Sequence, residues 1–456
     1  MVRRAVGFVA VVSLLAGCGS STVPVGPVVS PTGIAYAPGT PPVATSRSQT
    51  ATLYLRQDRL DRALDLLIEG MGEDPGNPIH FYLAGVVYAR LGDYRDAHAM
   101  FTEAQRIYPA YELQTELERE AAWGQAFNEG LEAYSSGDVE SAIDVWSAAT
   151  LLFDLRPEAH RNLASLLSSE LRYAEAISVF RSALEGLAKR PATREIGPEE
   201  ALIRAEASAE IEASLTELLV ATERFAEAEP LLRQQLAREP GSVQVRADLA
   251  AALSGQGRVA EADAMYATIL SRTDLDAEQL YNVGVALFRS TNFAQAAEAF
   301  RQMTELTPRS RDAWFNYANA LFAAEDWPAL AAAGGRLVEL DPLGETSRLI
   351  TARAQLEAGD RDGALRTLDA IDQAPIYVDG LQLQRAGGIT TIVGRVSGNA
   401  AEPDSPVHLR FSFYDDSGSL LGHTTLMVPA PSPDDTHELE LEFALPAAGY
   451  WYELIS

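Results

Sequence analysis

"AEQLYNVGVALFRSTNFAQAAEAFRQMTELTPRS", residues 277–310, decides how this chain folds. It reads as helix, turn, helix. Gly284 sits where the first helix must approach the second closely, and Ala296 where the second crosses back. Phe300 fills the gap between this unit and the next. Pro308 has no N–H and its ring blocks continuation, so it ends the second helix. That ending recurs. Pro342 lies 34 residues on, Pro240 lies 68 (twice 34) before, and Pro75 and Pro109 are again 34 apart.

The unit from Pro78 matches through Gly85, Tyr88, Gly92, Tyr94, Ala97, Phe101 and Pro109. The unit from Arg311 matches through Trp314, Ala318, Trp327 and Pro342 and departs at Leu330 and Gly334, where an alanine and an aromatic are expected. The same register gives about nine units, starting near Ala44, Pro78, Trp123, Pro157, Ala209, Val243, Ala277, Arg311 and Glu345. Residues 209–344 hold four without a break. Extra residues enter at Ala110–Ala122 and at Lys189–Ser208, the second readable as a loop plus a helix extension that divides the array. No such unit buries its own apolar face; stacked neighbours do. Trp314, Phe300 and Phe101 read as core.

A helix–turn–helix unit of this period resembles the tetratricopeptide repeat, over about 330 of the 456 residues. The resemblance implies an α-solenoid whose activity is binding. Its concave face is lined by the first helix of each unit and takes extended peptides or helices. The candidate groove residues are Tyr281, Val285, Phe288 and Arg289, then Phe315, Asn316, Asn319 and Phe322, then Arg353. Family members that grip a C-terminal carboxylate use Lys, Asn, Asn, Lys and Arg over three units. Here those positions hold Tyr281, Val285, Asn316, Thr346 and Ile350, and only Asn316 fits, which argues against such a clamp.

The chain opens with Arg3 and Arg4, followed by the apolar run "AVGFVAVVSLL" from Ala5 to Leu15. That run is too short to span a bilayer, which takes about 18 residues, and reads as a secretory signal. Leu15-Ala16-Gly17-Cys18 resembles the lipobox of bacterial lipoproteins. The resemblance implies cleavage before Cys18 and acylation of it, palmitate included, with residues 1–17 as the signal peptide. Cys18 is the only cysteine, so it has no disulfide partner in this chain. Gly19, where an aspartate would retain an enteric lipoprotein in the inner membrane, implies an outer-membrane anchor facing the periplasm. Residues 18–47, rich in Pro, Ser and Gly, read as an extended tether to a repeat array at 48–375.

From Pro375 the period changes from helical to alternating. "VHLRFSFY" (407–414) sets Val407, Leu409, Phe411 and Phe413 on one face. "HELELEF" (437–443) sets Leu439, Leu441 and Phe443 inward and three glutamates outward. Six or seven short strands over residues 376–456 predict a small all-β immunoglobulin-like sandwich. "FSFYDDSGSLLG" from Phe411 resembles a small bacterial β-sandwich domain known for Phe-x-Leu-Tyr-Asp, with Phe413 in place of the leucine. Gly394 and Val396 fit its preceding Gly-x-Val-x-Asn, and Asn399 falls one residue late. Near the end, Tyr450, Trp451 and Tyr452 stand together, either as edge-strand packing or as a contact surface. Array and sandwich are expected to be separable between Ala374 and Tyr377.

Acidic residues number 64 against 36 basic ones, a formal charge of −28, and Lys189 is the single lysine. That balance disfavours nucleic acid, whose phosphates need Lys and Arg, and favours basic partners by steering. The histidines 80, 98, 160, 408, 423 and 437 show no zinc spacing. There is no Gly-x-Ser-x-Gly, no P-loop and no dinucleotide fingerprint. "GDRDG" from Gly359 reads as a helix turn because the closing Glu of a calcium loop is missing. No cofactor, no metal and no enzymatic activity are expected. The expected role is a membrane-anchored scaffold binding other envelope proteins through the groove. The alternatives are a glycan- or ligand-binding receptor acting through the β domain, and a pilot or assembly subunit of an outer-membrane complex.

Overall fold

A computed structural model describes residues 28–415, 418–433 and 435–455. Among these, 18 α-helices precede six β-strands. The helices alternate as first and second members of nine pairs, an α-solenoid. The pairs are α1 (Ser46–Arg56) with α2 (Leu60–Glu73), α3 (Pro78–Leu91) with α4 (Tyr94–Ile107), and α5 (Glu112–Ser135) with α6 (Val139–Leu152). Next come α7 (Glu158–Ser169) with α8 (Tyr173–Ala188), α9 (Pro198–Ala221) with α10 (Phe225–Arg238), and α11 (Val243–Gly255) with α12 (Val259–Leu270). The last are α13 (Ala277–Arg289) with α14 (Phe293–Leu306), α15 (Arg311–Ala323) with α16 (Trp327–Leu340), and α17 (Glu345–Glu357) with α18 (Arg361–Asp372). The chain divides at Leu215 into two compact units.

The repeat is written in the backbone. Each turn between paired helices holds one left-handed residue: Asp58, Gly92, Gly137, Leu171, Glu223, Gly257, Thr291, Glu325 and Gly359. A left-handed residue stops the first helix and sends the chain back along it. Five of the nine are not glycine, although left-handed backbone costs an L-residue roughly 1–2 kcal/mol. Side-chain caps help start the helices, from Asn77, Asp138, Ser310, Asp326 and Asp360, and from Asp276 in a reciprocal box with Gln279. Within a pair, a glycine admits the ring found 16 residues later. A Cβ on Gly85 would stand 2.6 Å from Phe101, on Gly130 2.3 Å from Trp146, and on Gly284 2.5 Å from Phe300. Those three rings are buried. Trp314 is not core, contrary to expectation. It is half-buried, and its indole N–H donates to the Pro308 carbonyl at 3.1 Å.

Both irregular joints lengthen a helix. In the first unit, the turn Pro109–Tyr111 leads into the 24-residue α5. Residues 189–197 form a loop before the 24-residue α9. The Glu116 carboxylate holds that loop, accepting from the N–H groups of Ala192 and Thr193.

The tether reading is corrected for residues 28–45, which pack on the first unit. Val29 bridges to Ala35 around the turn at Gly33, and Tyr36 is buried. Thr40 N–H donates to the Ile107 carbonyl at 3.0 Å. Asn77 clasps both backbone groups of Val43, at 2.9 and 3.2 Å. Gly39 is needed here, because a Cβ would meet the Ile107 oxygen at 2.4 Å. A composition rich in proline and serine thus forms a strap, since its backbone groups find partners on the repeats.

In the second unit, the strands are β1 (Ile376–Ala386), β2 (Ile389–Gly398), β3 (Pro406–Tyr414), β4 (Leu420–Pro429), β5 (Thr436–Phe443) and β6 (Gly449–Ile455). They form two antiparallel sheets of three, ordered β1-β2-β5 and β4-β3-β6. Val407, Leu409, Phe411 and Phe413 meet Leu439, Leu441, Ile392 and Val396 in one core, and Glu438, Glu440 and Glu442 are exposed. That core also contains Leu343 and Ala374, which precede the strands. Asn399 donates to the carbonyls of Ile371 and Ala374 at 2.9 and 2.7 Å, closing the end of α18. The sandwich is therefore not separable from the last repeats without opening a shared core. Edge strand β6 is covered rather than bare, because it packs on α15 and α16.

Candidate functional site at the end of the repeat array

Helices α13, α15 and α17 carry the candidate residues in a 34-residue register, so that Tyr281 corresponds to Phe315 and Phe288 to Phe322. The structure divides the set. Tyr281, Phe315 and Asn316 line a cavity of about 650 Å³ together with Ser310, Arg311, Asp312, Thr346 and the β1 segment Asp379–Leu383. Phe288 and Phe322 lie outside it. Each meets the first residue of its partner helix edge-on, Phe293 at 5.1 Å and Trp327 at 5.6 Å between ring centres. They shape the turn within a pair. Asn319 is half-buried beyond the cavity, Arg289 is exposed, and Arg353 is paired with Glu357 on its own helix at 2.6 Å.

One wall of the cavity is a buried polar knot. Arg311, 4% exposed, donates through Nε and Nη2 to Asp341 Oδ2 at 3.2 and 2.9 Å. Its Nη1 donates to Asp312 Oδ1 at 3.0 Å, and its guanidinium lies 4.4 Å from the Phe315 ring centre. Asp341, fully buried, also accepts from the Ser347 hydroxyl and, on Oδ1, from the Tyr452 hydroxyl at 2.7 Å. Tyr452 in turn accepts from Leu343 N–H at 3.2 Å, and the Tyr450 hydroxyl reaches Asp312 at 3.4 Å. Tyr450 and Tyr452 are therefore the inward pair of β6 and join it to the repeats, while Trp451 is half-buried and donates to the Tyr414 hydroxyl at 2.8 Å. Desolvation pushes both tyrosines well above the usual phenol range, and the neighbouring aspartates add to it.

The β1 part of the lining is a bulge. Register with β2 shifts between Asp379 and Gln382, and Gly380 there has φ +64°. Asp379 accepts from Thr346 N–H at 3.4 Å at the start of α17, whose own cap position, Gly344, has no side chain to offer. Burial holds the carboxyls of Asp312 and Asp379 above the usual carboxylate range.

Arg311, Asp312, Asp341 and Asp379 were not foreseen from the sequence. No local pattern separates Arg311 from the other arginines; its position at the start of a repeat was the only available signal. Among the described residues, no group of three or more His, Cys, Asp or Glu is placed to hold a metal. No described helix is long and apolar enough to cross a membrane. Cys18 lies outside the described residues.

A sequence profile of the tetratricopeptide repeat matches residues 49–112, 127–191 and 281–345, and a second profile of the same repeat matches 219–282. No curated protein matches the chain. Among solved structures, the alignment with MamA (residue 41 to the end) from Desulfovibrio magneticus RS-1 is 15% identical and covers 36% of this chain and 92% of that one, with a TM-score of 0.29. YrrB, described as a TPR protein with an unusual peptide-binding site, is 18% identical over 46% of this chain and 92% of its own, with a TM-score of 0.28. The P58(IPK) TPR domain is 13% identical over 72% of this chain and 92% of its own, with a TM-score of 0.26.

Proposed function

This chain is built from tetratricopeptide repeats, and from that premise we propose that it is a protein-interaction scaffold that takes an extended peptide along the first helices of its last repeats. The cavity carries the reading. Groove positions Tyr281, Phe315 and Asn316 share its lining with β1, so on this reading the sandwich closes one end of the groove. A closed end gives an extended peptide a register, which an open helical face does not. The residues Asp379–Leu383 share the cavity with the repeats, so a ligand reaching the sandwich here also touches the array.

The test is selection from a random-peptide library on the purified full-length protein, followed by affinity measurement. Tyr281→Ala with Asn316→Ala is expected to weaken the selected peptides at least about tenfold, since aromatic anchors account for about 2 kcal/mol or more each at interfaces. Melting should change little, because Tyr281 is exposed and Asn316 half-buried. Phe315 is left in place because it carries Arg311. Unchanged affinity in a folded double variant would move the site elsewhere.

The same proposal places the scaffold at a membrane. Leu15-Ala16-Gly17-Cys18 supports a lipoprotein anchor, and Gly19 supports the outer membrane, facing the periplasm. The docked strap shortens the leash. Only nine residues lie between Cys18 and Val28, ten Cα steps and a reach of at most roughly 35 Å at full extension. The partners would then be other envelope proteins, and the sandwich the counterpart of the Phe-x-Leu-Tyr-Asp domains that its β3 region resembles. Cys18→Ala is expected to abolish acyl labelling and release the protein from the membrane fraction; normal labelling of the variant would refute the anchor.

A further inference from the structure

We propose that the closed end of the groove receives one cationic side chain, arginine or lysine, of the bound peptide; this rests on reading that face as a peptide groove. The argument starts from what the cavity has already used. Arg311 is the only cation among the described residues that line it. Its Nε, Nη1 and Nη2 each donate to an aspartate, three of its five N–H donors, and its charge is already met by two carboxylates, which leaves little attraction for a ligand carboxylate. The charge of Asp341 is matched by Arg311 and its oxygens are filled by Arg311, Ser347 and Tyr452. That leaves two further carboxylates on the lining, Asp312 and Asp379. Asp312 takes both of its hydrogen bonds on Oδ1, and Asp379 is held by Thr346, through its N–H at 3.4 Å and its side chain, with no cation among the described residues in an ion pair to it. Arg395 stands across the ladder from Asp379, yet it is exposed, does not line the cavity and faces Glu438 on its other side.

The cavity thus carries an excess of negative charge in a partly dry place whose lining also includes the rings of Tyr281 and Phe315. A guanidinium or ammonium there gains attraction to the carboxylates and to a ring face together. Burial raises both carboxyls, and the one nearby cation, Arg311, offsets this only in part. Asp379 is the last paired residue before the β1 bulge, and its carboxylate reaches the cavity and the start of α17. A chain of charge −28 steers basic partners toward it.

The experiment titrates the full-length protein with N-acetylarginine amide, N-acetyllysine amide, N-acetylnorleucine amide and N-acetylglutamate amide, by calorimetry or ligand-observed NMR. Saturable binding of the two cations, at least about tenfold tighter than norleucine and with glutamate not binding, is the expected result. Asp379→Asn keeps an oxygen for Thr346 N–H and should lower arginine-amide affinity at least about tenfold with unchanged melting. Should that variant fail to fold, Tyr281→Ala in the same lining tests the same cavity and should also weaken the cation. Equal binding of norleucine and arginine, preference for glutamate, no measurable binding of either cation, or full affinity in both variants overturns the proposal. Peptide selection separates the two readings. Selected peptides without a basic residue, joined to no arginine-amide binding, sink this inference alone. Arginine-amide binding with no selectable peptide sinks the groove and leaves the cation site.

Discussion

Asp341→Ala is expected to destabilise the second unit by about 3–5 kcal/mol, the usual result of removing one partner of a buried ion pair. The substitution leaves the Arg311 guanidinium buried without its main counter-charge. It also strips the acceptor from the hydroxyls of Ser347 and Tyr452. Against total stabilities of about 5–15 kcal/mol, that loss is a large fraction. Tyr452→Phe removes two hydrogen bonds, the one to Asp341 and the one from Leu343 N–H, and should cost about 2 kcal/mol, less than the loss of Asp341 because the knot's ion pair remains. Urea unfolding of the full-length protein, followed by circular dichroism, compares the two. A variant lacking Asp341 that unfolds at the wild-type midpoint would mean that the knot does not hold sandwich to repeats.

Phe101→Ala should be as damaging in the first unit. The ring is fully buried, rests on the bare backbone of Gly85, and lies 5.3 Å beneath the Arg119 guanidinium. Removing it opens a hole in a dry place, for which large-to-small changes cost about 3–5 kcal/mol. Phe288→Ala is the contrast. That ring is 36% exposed and touches Phe293 only at its edge, so its loss should stay below about 1 kcal/mol. Equal midpoint shifts for the two phenylalanines would contradict the assignment of one to the core and the other to the turn.

The repeat architecture was legible because it is local. A glycine and a ring 16 residues apart, and a proline after the second helix, each act within one repeat; the first recurs in three pairs, and the prolines recur at 34 or twice 34 residues. Alternation in 407–414 and 437–443 revealed the strands for the same reason, since the pleat needs only near neighbours. The groove was legible as a row of helix positions and no further. Tyr281 and Phe315 look like Phe288 and Phe322 in the sequence, and only the fold puts the first two at a cavity and the second two against their own turns.

What the tertiary structure alone decided are contacts between residues far apart in the chain. Asp341 meets Tyr452 across 111 positions, and Asp379 reaches the start of α17 across 33. Strap residues 28–45 stay in place by backbone hydrogen bonds to repeats that composition does not mention. Such pairings leave no periodic trace, because each is made once. Amino-acid order determined every helix pair of this protein and the face each pair buries, through forces that act over a few residues. Where the array ends against the sandwich, and so which carboxylates surround the cavity, was decided by packing between surfaces that no short stretch of the chain contains.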